Sequence, residues 1–263
     1  MEATFGPLLR AWRNARGKSQ LALSIEAGVS SRHLSFVETG RSNPSREMVL
    51  ALAQALDVPL RDRNALLEAA GFAPVFRETP LGAPAMADVR DALEHILRAH
   101  EPNVALVLDR RYDVLMANDA TARLFGVFAP EWRGPANVAR MVFDPSGLRP
   151  AIDNWPEIAG YVAHRLRAEL TGRVRDATDE ALLAEAIAVE GELASSARAV
   201  PTKPLSAVIL PIRLRRGALS ANLFTAITTL GTPLDITLQE LRIETLFPAD
   251  AAAKEFLLSL PRA

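Results

Sequence analysis

The chain has 263 residues, 49% of them apolar, and no cysteine. That length admits two modest domains with buried cores, and the missing thiol excludes disulfides, thiolate metal ligands and thiol catalysis. Thirty Lys and Arg against 31 Asp and Glu leave a net charge of −1, but the charges are unevenly spread. The first 46 residues hold seven bases against three acids, and the rest holds 23 against 28. A basic head on an acidic body suits a nucleic-acid-reading module carried by something else. No apolar run approaches the roughly 20 residues that cross a bilayer, and no signal peptide opens the chain. The expectation is a cytoplasmic protein without membrane insertion.

Residues 5–70 read as five short helices. Phe5, Leu8, Leu9 and Trp12 fall on one helical face. Ser19 caps a second helix that Gly28 ends, and Ser30 caps a third that stops near Thr39–Gly40. Pro44–Ser45 starts a fourth, and Pro59 suits the first turn of a fifth running to Gly71. Residues 71–86 carry Gly71, Pro74, Pro80, Gly82 and Pro84, which mark a linker before a second domain at 87–263.

That second domain opens with a helix at about 87–100. Val104–Leu108 and Tyr112–Ala117, separated by Asp109-Arg110-Arg111, read as a hairpin. Asn118 or Asp119 caps a helix ending at Gly126. Residues 136–195 look mostly helical, with Trp155-Pro156 opening one helix and Thr178 capping another. Strands are expected at about 205–214, 219–229 and 241–247, and a closing helix over Ala251–Leu260.

Two short helices across a tight turn make a helix-turn-helix. Gly28 supplies a positive-φ turn residue, Ser24 is small where the paired helix approaches, and Leu23, Val29, Leu34 and Val37 lock the pair from beneath. The third helix then leaves Ser31, Arg32, His33, Ser35 and Phe36 exposed to meet base edges in a major groove. The alternative is a plain helical bundle with no ligand. The set Ser19-Gln20, Gly28-Val29-Ser30, Leu34-Ser35, Glu38-Thr39-Gly40-Arg41 and Pro44-Ser45 resembles the XRE (phage Cro/repressor-like) helix-turn-helix family. The resemblance implies a λ repressor-like five-helix domain that binds double-stranded DNA. It implies backbone contacts from Gln20 and Arg41, and places Ser30, Ser31, Arg32, His33, Ser35 and Phe36 at or beside the bases. An amide often stands where Phe36 stands. Phe36 can pack on a thymine methyl, or be partly buried against Pro44.

Asp109, Asn118 and Gly126, in a strand–turn–strand–helix context, resemble the opening of a PAS-like sensor domain. Leu93–Pro102, Val114–Asn118, Asn154–Trp155, Leu166–Arg167 and Gly231–Asp250 are similar to the MmyB-like regulators, and residues 172–204 match that pattern least. The implied fold class is α+β: an all-α head followed by a PAS-like domain with an antiparallel sheet. The implied function is a transcriptional regulator that senses a small apolar, fatty-acyl-like ligand and works as a homodimer. Candidate pocket residues are Leu106, Met116, Leu124, Phe128, Met141, Phe143, Trp155, Tyr161 and Phe224, with Asn118, Arg140 and Arg167 as anchors for a polar head. Any of them also serves as ordinary core or, for the arginines, as a solvated surface group.

No catalytic residues, metal ligands or cofactor are expected beyond a bound fatty acid or similar molecule. The four histidines form no HExxH, and His95 and His100 lie on different helix faces. No GxSxG elbow, P-loop or GxGxxG is present. Two rivals stay open at this point: an autoregulating enzyme, and a second domain that only dimerises.

Overall fold

The computed structural model describes residues 4–170, 176–195, 210–231 and 233–260. The chain forms two compact units.

The first unit holds residues up to Thr79 together with 233–239. Its five helices are α1 (Phe5–Ala15), α2 (Gln20–Glu26), α3 (Ser31–Glu38), α4 (Arg46–Ala55) and α5 (Leu60–Ala69). Three serines start three of them: Ser19, Ser30 and Ser45 accept the backbone N–H groups of Ala22, His33 and Met48 at 3.1–3.2 Å. Such a cap is worth about 1 kcal/mol relative to alanine. Leu9, Leu23, Leu34, Leu52, Leu56 and Leu66 are fully buried and form the centre. Gly6 lets α1 approach the end of α3, since a Cβ there would sit 2.6 Å from the Glu38 carbonyl oxygen.

The expected linker is only partly a linker. Asn64 Oδ1 accepts the N–H groups of Val75 and Phe76, and Asn64 Nδ2 donates to the Phe76 carbonyl, so this stretch is tied to α5. Arg61 and Glu78 add an ion pair. A segment distant in sequence joins this unit. Asp235 accepts the Thr79 hydroxyl at 2.7 Å, and Gln239 Oε1 accepts the Leu60 N–H at 2.6 Å, satisfying an amide at the start of α5 that Pro59 cannot cap.

The second unit is α+β. In chain order it runs α6 (Ala87–Ala99), β1 (Val104–Leu108), β2 (Val114–Ala117), α7 (Asp119–Phe128), α8 (Val138–Phe143), α9 (Trp155–Leu170), α10 (Ala177–Ser195), β3 (Pro211–Arg216), β4 (Leu219–Thr228), β5 (Arg242–Pro248) and α12 (Ala251–Ser259). The short α11 (Ile236–Glu240) lies between β4 and β5. The strands pair antiparallel in the order β2-β1-β5-β4-β3.

Several boundaries differ from expectation for local reasons. The second strand begins at Val114 because Tyr112 takes φ 67° and turns its ring into the core, while Asp109 Oδ1 accepts the N–H groups of Arg111 and Asp113. Asn118 caps α7, which continues past Gly126 to Phe128. Asp176, not Thr178, accepts the Asp179 N–H at 2.9 Å at the start of α10. The third strand is described from Pro211, so the expected portion at 205–209 lies outside the described residues.

Strand parity sorts the side chains. Leu106 pairs with Glu244, Thr225 with Leu246 and Ile212 with Leu223, which puts Leu106, Ile212, Leu223, Thr225, Glu244 and Leu246 on one face. Phe224 pairs with Phe247 and Met116 with Val107, on the other face.

Candidate DNA-reading face and ligand cavity

The α2–α3 pair is built around small polar contacts. Gly28, at φ 68°, makes the turn. Ser24 is buried, donates to the Leu21 carbonyl, and lies 2.7 Å from Ser31 across the two helices. Ser31 thus joins α2 to α3, and the Ser30 hydroxyl caps its own helix. Arg32 is exposed, with its guanidinium 5.4 Å from the centre of the Phe36 ring one turn later. Phe36 is half-buried, as are His33 and Ser35, and Arg41 is exposed.

Glu38 belongs to the motif that carries the resemblance, but the sequence reading gave it no role. It ends α3 with its carboxylate buried, and receives Arg13 through Nε at 2.6 Å and Nη2 at 3.0 Å. Gln20 Nε2 donates to the same carboxylate at 2.7 Å. Burial alone would raise the Glu38 pKa; the hydrogen bonds from Arg13 and Gln20 outweigh it and hold the group below its ordinary value. Three of the seven basic residues of the head also serve the fold. Arg13 binds Glu38, Arg16 donates to the Leu56 and Asp57 carbonyls, and Lys18 donates to the Ala55 carbonyl. Arg10, Arg32, Arg41 and Arg46 remain exposed.

In the second unit an apolar cavity of about 80 Å³ lies between the sheet and α7–α9. Leu106, Leu124 and Tyr161 stand in its wall, as do Val142, Ile158, Val162 and Ile212, which the sequence reading did not single out. Polar groups share the wall: the hydroxyl-bearing Tyr112, Tyr161 and Thr225, and Glu244.

The remaining candidates lie elsewhere. Phe224 stacks on Phe247, with centroids 5.5 Å apart, on the opposite face of the sheet, and Met116 shares that face. Phe128 packs on Phe256 in the core. Trp155 donates to the Val142 carbonyl at 2.8 Å and holds the Arg149 guanidinium over its ring. Met141 and Phe143 border surface grooves near Trp132.

The three expected head-group anchors are committed to other partners. Asn118 Oδ1 accepts from Ala105 and Thr121, and Nδ2 donates to Asn103. Arg140 pairs with Glu185, and the half-exposed Arg167 pairs with Glu190 at 3.1 Å. Both arginines therefore brace α10.

Residues 4–66 match a family of helix-turn-helix domains. Residues 89–260 match the MmyB-like transcription regulator ligand binding domain. The chain belongs to that MmyB-like family. The cavity lies inside the MmyB-like region, and the α2–α3 pair lies inside the helix-turn-helix region. Together they make the protein a ligand-responsive transcription regulator. Both matched families are regulator domains and neither is an enzyme family. No curated protein matches the chain. Among the described residues, no three His, Asp or Glu side chains form a group able to hold a metal ion, and no helix is long and apolar enough to cross a membrane.

Proposed function

We propose that this is a one-component, XRE-type regulator. It reads double-stranded DNA as a homodimer through α3 and is controlled by a fatty-acyl-like ligand held in a PAS-like second unit. The observation that carries this reading is the apolar cavity inside the MmyB-like region of a chain that also bears a helix-turn-helix. The single antiparallel sheet, with the last strand at its centre and helices over the cavity face, supports the PAS-like description.

Cavity size makes a regulatory mechanism concrete. About 80 Å³ is roughly half the 150 Å³ void that admits benzene. An acyl chain enters only by displacing wall residues such as Val162 on α9 and Ile212 on β3. A ligand that must expand its site binds the expanded arrangement better than the closed one. That differential affinity is what allows it to shift DNA binding. The favourable term is removal of methylenes from water, about 0.8 kcal/mol each.

Native mass spectrometry of freshly purified protein, followed by melting of the delipidated protein, tests the proposal. The expected result is a co-purifying lipid, a lower melting temperature without it, and recovery with medium-chain fatty acids that grows with chain length. Val162→Phe, which fills the cavity, should abolish that recovery. If no lipid is carried and no fatty acid shifts melting, the second unit is a dimerisation module.

A further inference from the structure

The connection between β4 and β5 belongs to the first unit, although both strands belong to the second. Hydrogen bonds hold it there. Asp235 Oδ2 accepts the Thr79 hydroxyl at 2.7 Å, the Ile236 N–H donates to the Arg77 carbonyl at 2.8 Å, and Gln239 Oε1 accepts the Leu60 N–H at 2.6 Å. Ile236 is buried. Asp235 Oδ1 also accepts the Thr237 N–H at 2.9 Å, so one carboxylate both starts α11 and ties it to Thr79. The Leu60 N–H is one of the donors that the first turn of a helix leaves without an intrahelical partner. Its acceptor here comes from a residue 179 positions away.

The chain passes from the first unit to the second between Gln239 and Glu240. Glu240 pairs with the buried Arg110 at 3.6 Å, and Arg110 Nη2 lies 2.8 Å from Asp179 at the start of α10. Leu241 and Arg242 are buried, and β5 begins at Arg242. Two residues of that strand, Glu244 and Leu246, stand in the cavity wall. Five residues separate Gln239 from Glu244, at most about 18 Å of fully extended chain. β5 is hydrogen-bonded to β1 on one side and β4 on the other, so it does not slide alone. A displacement felt at Glu244 or Leu246 therefore reaches the start of the strand, with little slack before Gln239.

Resting on the reading of the cavity as the ligand site, we infer that Asp235 and Gln239 are the two catches of a latch that couples filling of the cavity to the DNA-binding unit, with a closed latch and a filled cavity opposing each other. At a cavity volume of about 80 Å³ both catches are closed. A chain that widens the cavity bears on Glu244 and Leu246, draws β5 with them, and pulls Gln239 from the start of α5. α5 packs on α1, and α1 carries the Arg13 that binds Glu38 at the end of α3. The coupling is reciprocal by thermodynamic necessity: whatever opens the latch eases filling of the cavity by the same factor.

Two measurements on delipidated full-length protein test this: amide exchange with and without saturating decanoate, and calorimetric titration with decanoate. Saturation of the unaltered protein should lower protection of the Ile236 and Leu60 amides about fivefold or more, the lower end of ordinary coupling between sites. Gln239→Ala and Asp235→Ala, which each remove a catch, should bind decanoate about fivefold or more tightly than the unaltered protein. Leu234→Ala, in the same connection but 87% exposed, should leave the affinity unchanged. A connection that is merely structural would give the two catch variants a lower melting temperature and the same decanoate affinity, which would overturn the inference. Unchanged or greater protection of Ile236 and Leu60 at saturation would also overturn it, while leaving the cavity reading standing. Failure of decanoate to bind either the unaltered protein or Gln239→Ala would remove the cavity reading, and the latch with it.

Discussion

Gln20 donates through Nε2 to the Glu38 carboxylate at 2.7 Å, the same carboxylate that holds Arg13. The first residue of α2 is therefore fixed to the last residue of α3, and both to α1. Gln20 is held by this contact before any ligand arrives, so it has less side-chain freedom to lose if it serves the DNA contact proposed for it.

Acid should loosen this corner. The folded-state pKa of Glu38 is depressed, so its stabilising contribution is fully present above the ordinary glutamate value of about 4.3. It is lost as pH falls through the lower folded value. Amide exchange protection in α1 and α3 should decline over that acidic window in the unaltered protein. In Glu38→Gln this part of the decline should be missing, and protection should be weaker at neutral pH because Arg13 loses its counter-charge in a buried site.

Arg32 and Gln20 should fail in different ways. Arg32 projects from the exposed side of α3, where a bidentate contact to guanine is worth about 1–3 kcal/mol of discrimination. Arg32→Ala should relax specificity at one base pair. Gln20→Ala should weaken specific and random DNA alike, since phosphate contacts carry no sequence information. Binding assays on an operator, a single-base variant and random duplex separate the two. Equal losses on all three for Arg32→Ala would remove it from base readout.

A single eight-residue reading helix covers few base pairs. The proposed homodimer would extend the site by two-fold symmetry, so footprinting should show a near-palindrome with half-site centres about 34 Å apart or a multiple of that spacing. Protection of a lone half-site by a monomer would count against the dimer.

Asp179 anchors the start of α10 to the turn after β1. Its carboxylate accepts Arg110 at 2.8 Å and Arg111 at 2.6 Å, with Arg110 and Asp179 both buried. Breaking a buried pair by removing one partner costs about 3–5 kcal/mol. Asp179→Ala should lower the melting transition of the second unit by that order and leave DNA binding by the first unit intact. Glu190→Ala, which touches the half-exposed Arg167, should change melting little.

Sequence alone determined what is local. The three serine caps, the turn at Gly28 and the apolar spacing of α1 to α5 each depend on a few neighbouring residues, so they could be read in order along the chain. The strands and helices of the second unit were legible in the same way, from branched runs and their punctuation, while its antiparallel sheet was what the family resemblance implied. The cavity was not, because its wall is gathered from residues between Leu106 and Leu246, and strand pairing decides who faces it. A one-residue step along a strand reverses the face. That step sends Phe224 to the far side and brings in Thr225, although the aromatic side chain looked the better candidate. Arg242 and Glu244, which the sequence reading did not single out, are covered only because β1 and β4 flank β5 on both sides. The Gln20–Glu38–Arg13 cluster is of the same kind, since three helices must meet before a glutamate at the end of α3 becomes the residue that holds them.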